Sequence, residues 1–169
     1  MSLSYQNLKI ITAGVCSTMV AIGFGRFIYT PILPDMQSSL NLSSTTMGVI
    51  SSYNYLGYLL GSIIPIIFKL NNFRNVILFS STMSVITICL MGFTTNVTIF
   101  IMLRFLCGLT SALGFVFTIS FMFNEFKDSK NNSLQLIHFS GIGLGIVLGT
   151  LTVWMISAAG YQWNHQWIL

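Results

Sequence analysis

Charge is what this sequence has least of. Only 10 of its 169 residues are charged, 7 Lys or Arg and 3 Asp or Glu, a share of 6% where a soluble domain carries about 25%. No ordinary water-facing surface can be built from that composition, which excludes a soluble enzyme, a nucleic-acid binder and a disordered tail. Residues 36–68, 75–103, 105–124 and 131–169 contain no Asp, Glu, Lys or Arg at all. The net charge of +4 is no nucleic-acid footprint either, because the basic residues are scattered singly.

Other absences narrow the class further. Cys16, Cys89 and Cys107 are widely spaced and form no CxxC pair, so neither a zinc site nor a redox motif is present, and they read as small reduced packing residues. No small-residue cleavage site follows a short apolar core, so the amino-terminal run reads as a retained span, not a removed signal peptide. The apolar stretches are too long for barrel strands and lack strict alternation.

What is there is apolar sequence: 54% of residues are hydrophobic and the mean hydropathy is +0.81. Breakers and charges divide it into five segments, about residues 8–33, 45–68, 76–93, 97–123 and 134–159. At a rise of about 1.5 Å per residue each can cross a hydrocarbon core of about 30 Å, the longer ones tilted. The first is expected to end at Pro31, Pro34 and Asp35, where proline removes backbone donors. The fold class is therefore all-α, a polytopic helical membrane protein with five transmembrane helices.

Lys9, Lys69, Arg74, Lys127 and Lys130 all fall on one side of this arrangement. The positive-inside rule makes that side cytoplasmic, with the amino terminus inside and, after an odd number of spans, the carboxyl end outside. The tail, residues 160–169, carries Trp163 and Trp167, suited to a membrane interface, and stops on Trp-Ile-Leu as though a sixth span were starting. It reads as a fragment or as a truncated reading frame.

Two basic residues lie inside spans. Arg26 is about eight residues from the outer end of the first span and Arg104 about seven from the outer end of the fourth, which places both about 10 to 12 Å below the outer surface. A cation at the bilayer centre costs roughly 2.5 to 3.5 kcal/mol on insertion scales and normally faces a bundle interior or watery cavity. No acid lies within any span to pair with them. Asp35 at the helix end, backbone carbonyls or an anionic ligand are the open choices, and the bland alternative is an arginine that snorkels or caps carbonyls.

Polar and small residues follow single helical faces: Gly23, Arg26, Tyr29 and Thr30 in the first span, Asn54, Gly57, Tyr58 and Gly61 in the second, Arg104, Gly108, Ser111 and Ala112 in the fourth. Three such faces imply close packing around a shared interior, with Arg26, Tyr29, Asn54, Tyr58 and Arg104 as its polar lining. Gly141, Gly145 and Gly149, spaced by four, make a groove for another helix. His138, one turn before that groove, and Asp35 are the local candidates for a proton relay. No carboxylate pair shares a span and no phosphate-cradling loop occurs, so catalysis, cofactor and metal are not expected.

The runs GFGRFIYTPILPDM (residues 23–36) and NYLGYLLGS (residues 54–62) resemble the amino-terminal half of major facilitator superfamily transporters, in particular the YbfB/YjiJ-like branch. RFLCGLTSA (residues 104–112) is similar to the superfamily's fourth-helix pattern, and WNHQW to the stretch that precedes its sixth helix. Two places depart from the family: no acid stands between Gly61 and Arg74, and Ile146 and Thr150 replace the fifth-helix pattern of exporters. The resemblance implies a twelve-helix transporter of two six-helix halves in the plasma membrane, of which this chain supplies most of one half. It implies a small-molecule substrate held near the midplane and alternating access, with membrane lipid and the carboxyl-terminal transporter helices as partners. Arg104 matches a family arginine that packs or assists coupling. The lack of intramembrane acids points to an anionic substrate, such as a carboxylate, at Arg26. The alternative is a truncated, transport-inactive membrane protein or membrane interaction partner.

Overall fold

The computed structural model describes residues 5–68, 72–127 and 132–168. The first span is α1 (Tyr5–Thr18), a π-helical segment (Met19–Phe27) and α2 (Tyr29–Leu40). Then come α3 (Ser44–Ile67), α4 (Phe73–Met91), α5 (Val97–Glu125) and α6 (Ser140–Ala158). Short 3-10 turns at Asn132–Gln135 and Ile137–Phe139 lead into α6, and another at Trp163–Trp167 follows it. No strand occurs among the described residues, and five helical stretches are long and apolar enough to cross a membrane.

Side chains cap the starts of α3, α4 and α5. Ser43 caps α3 by accepting from Thr46 N–H at 3.1 Å, and Asn96 caps α5 by accepting from Thr98 N–H at 2.9 Å. Asn41, in the left-handed conformation at φ 50°, closes α2.

Burial is inverted relative to a water-soluble protein. Asn54, Ser84, Arg104, Ser111, Thr118 and His138 are buried, while Leu59, Phe79, Val147 and Trp154 are exposed. That is the pattern of a bundle whose solvent on the outside is hydrocarbon, so polar groups must find partners within. Ser17 and Thr118 hydroxyls meet at 2.7 Å between α1 and α5, and Ser84 and Thr110 at 2.8 Å between α4 and α5.

Two helix pairs come together through glycine. Gly57 and Gly61 of α3 set their backbone against Phe105 O and Leu109 O of α5, and Gly108 of α5 lies on Asn54 O. On the other flank, a methyl group on Gly23 would sit 2.6 Å from the Cα of Gly145, while Gly141 meets Val15 O and Gly149 faces Ile28 and Phe24. The glycine groove of α6 thus holds the first span.

Two expectations change. The first span does not end at Pro31 to Asp35 but stays helical to Leu40. Pro31 falls in the first turn of α2, where an N–H has least to bond, and only Pro34 stands inside the helix. The tryptophans of the tail do not face outward: Trp163 and Trp167 are buried within the bundle, Trp167 6.1 Å from Tyr29 and Trp163 6.1 Å from Phe100 between ring centroids. Gly92 opposes Asn164 O and Ile168, and this close approach lets the 3-10 turn fold back over the helix ends. Of the five basic residues used for orientation, Lys69 and Lys130 lie outside the described residues.

Candidate functional site

Arg26 sits on the last turn of the π segment. Winding of this kind offers a carbonyl to the residue five positions on instead of four. For Phe27 O in the α register the residue four positions on is Pro31, whose imino nitrogen has no proton to give. Pro31 therefore removes one backbone N–H donor from the first span just past the π segment.

Arg104 supplies the donors. Its side chain is 2% exposed and reaches from α5 to the first span, Nη1 donating to Gly25 O at 3.5 Å and Nη2 to Arg26 O at 3.4 Å. Cys107, one turn on, donates its thiol to Gly25 O at 3.2 Å. The Tyr29 ring lies 4.7 Å from the Arg104 guanidinium carbon, and the Tyr29 hydroxyl donates to Met47 O at 3.2 Å. These long, forked contacts from one planar cation to two successive carbonyls are a use to which arginine is suited and lysine is not.

Asn54 of α3 continues the chain of contacts by donating Nδ2 to Arg104 O at 2.9 Å. Tyr55 and Tyr58 of the same helix then return to the start, with ring centroids 5.0 and 4.9 Å from the Arg26 guanidinium carbon, and Phe27 adds a third ring at 5.7 Å. The first span, α3 and α5 are thereby tied in a closed ring: Arg26 side chain to the tyrosines, Asn54 to Arg104, Arg104 to the Arg26 carbonyl.

The two cations in this ring differ. Arg104 is enclosed and its terminal nitrogens have oxygen partners, whereas Arg26 is half-buried and its terminal nitrogens make no hydrogen bond among the described residues; the Nε of each is buried without a partner. Aromatic faces balance part of its charge but accept no conventional hydrogen bond. Arg26 can therefore still bind an anion, while Arg104 cannot without releasing the first span.

The structure brings Arg26, Tyr29, Asn54, Tyr58 and Arg104 into one cluster. Gly57, Gly61 and Gly108 provide the close α3–α5 seam beneath it, and Gly141, Gly145 and Gly149 lie on the far side of the first span. Tyr55 and Cys107 also belong to the cluster: Cys107 stands on the Arg104 stripe, three residues on, whereas Tyr55 lies beside the Asn54 stripe. Tyr55 could have been found as the residue three before Tyr58, the spacing at which two rings on one helix can reach a common cation.

His138 and Asp35 are not brought together. His138 is buried beside Gly14 and Met122, its Nδ1 2.7 Å from Gln135 O. Asp35 accepts from Gln166 Nε2 at 2.6 Å and from Ser157 Oγ at 3.0 Å. His138 precedes α6 and Ser157 ends it, so about 28 Å of helix separates the two.

A family profile described as uncharacterised MFS-type transporter YbfB matches residues 18–169, and the matched region includes every residue of this cluster. No curated protein matches the chain.

Proposed function

The chain belongs to the YbfB-type family of major facilitator superfamily transporters, and from that premise we propose that it forms part of a pathway carrying a small anionic solute across the membrane, with Arg26 as the anion-binding group. That it is an integral membrane protein of a transporter family is established by the family match and the five spanning helices. The proposal adds the charge of the solute, the residue that meets it and the route by alternating access, with the basic end of the bundle in the cytoplasm of a cell bounded by this membrane.

One observation carries the reading: a half-buried guanidinium at span depth, held by Tyr55 and Tyr58 and with no oxygen partner at its terminal nitrogens among the described residues. A cation kept at a cost of this size in hydrocarbon, and left with donors open, is a group waiting for a negative charge. The ring supports alternating access, because Arg26 belongs at once to its ligand and, through its own carbonyl, to the arginine that fixes α5. Anything that pulls on Arg26 is felt at a helix contact.

The test is uptake of anionic and neutral solutes into vesicles by the transporter with Arg26→Gln against the unchanged protein. Arg26→Gln is expected to lower uptake of the transported anion at least tenfold while the protein still inserts and folds. Unchanged uptake would remove Arg26 from the pathway.

A further inference from the structure

The number of cations left open at the site, and the character of its walls, narrow the ligand. This step rests on the reading of Arg26 as an anion site. Within the cluster only two side chains carry charge. Arg104 already holds Gly25 O and Arg26 O, so a single positive charge is available to a ligand. In a low-dielectric site one cation can balance one negative charge, and a second would stay uncompensated at high cost. A monovalent anion is therefore matched, whereas a dicarboxylate or a phosphate carrying more than one charge is not. The walls around that charge are Tyr55, Tyr58 and Phe27, and Tyr55 and Phe27 expose 53% and 37% of their surface. Rings of this kind favour an apolar body attached to the anion over a water-sheathed one.

We propose that the Arg26 site takes a monocarboxylate with an apolar body, and that Tyr55 is the residue that selects it. The guanidinium edge binds the carboxylate through two parallel N–H donors. The Tyr55 ring, 5.0 Å from the guanidinium carbon, both holds the cation and covers the apolar body of the ligand. Tyr58 holds the cation from a more enclosed position, so the exposed ring of Tyr55 is the one a ligand meets.

The test measures binding to the purified full chain in mixed micelles with benzoate, phthalate and inorganic phosphate as probes. Benzoate is expected to bind at least tenfold more tightly than phthalate or phosphate. Tyr55→Phe, which keeps the ring, is expected to preserve the benzoate affinity, while Tyr55→Leu lowers it several-fold with little change in the unfolding temperature of the ligand-free chain. A benzoate affinity unaltered in Tyr55→Leu overturns the role of Tyr55, and phosphate or phthalate binding as tightly as benzoate to the unchanged chain overturns the monocarboxylate class. Arg26→Gln separates this inference from its premise. Loss of all anion binding there, with no preference for benzoate in the unchanged chain, leaves the anion site standing and defeats only the inference. Benzoate binding that survives Arg26→Gln defeats both.

Discussion

Arg26 and Arg104 are the same residue type in one contact cluster of one bundle, yet they occupy opposite roles. Arg104 is sealed against two backbone oxygens of the first span, Gly25 O and Arg26 O; Arg26 is half-buried among tyrosine rings, with terminal nitrogens that make no hydrogen bond among the described residues. The difference teaches that a charge inside a membrane is not by itself a functional signal. What decides is whether the protein has already used the donors. An arginine that repairs a backbone is structural however deep it lies, and an arginine left with donors open can meet a ligand.

The widest separation between the two should appear in stability. Arg104→Leu removes the fork from Gly25 O and Arg26 O, and with a buried unsatisfied carbonyl costing about 1–3 kcal/mol the loss should be about 3 kcal/mol, read as a fall in unfolding midpoint in mixed micelles. Asn54→Ala leaves the fork in place but removes the bond to Arg104 O, and should cost about 1 kcal/mol in the same assay. Arg26→Leu should change stability least, by less than about 1 kcal/mol, since the lost cation–π contact is offset by removal of a charge from hydrocarbon. Equal losses for Arg104→Leu and Arg26→Leu would erase the distinction. A loss for Asn54→Ala as large as that for Arg104→Leu would show that the α3–α5 contact, not the repair of the first span, is what Arg104 provides.

Much of the fold is legible in the sequence because hydrocarbon imposes a simple condition, long apolar runs with internally satisfied backbones. The four-residue spacing of Gly141, Gly145 and Gly149 likewise reads as a helix contact, and the structure fills that groove with Met19, Gly23 and Phe24. The proximity of Arg26, Asn54, Tyr58 and Arg104 is legible too, from polar positions repeated on helical faces. Three features are not. A proline pair suggests a helix end, but Pro31 lands in a first turn, where proline is tolerated. Tryptophan suits a membrane interface and a buried core equally, so composition could not show that Trp163 and Trp167 fold inward over the helix ends. Tyr55 was hidden because it stands beside the Asn54 stripe, and a cation–π contact reaches about 5 Å across a gap that face patterns do not register.

The π segment has a consequence for direction. A π turn takes up about one residue more than an α turn, and one residue is worth about 100° around a helix axis. Past Phe27 the first span is therefore out of phase with its own beginning. Rewinding Met19–Phe27 as α-helix would leave Arg26 at nearly the same depth in the bilayer and change its azimuth. The segment acts as a pointing device, aiming one charged side chain toward α3 while Arg104, bonded to Gly25 O and Arg26 O, keeps that aim fixed.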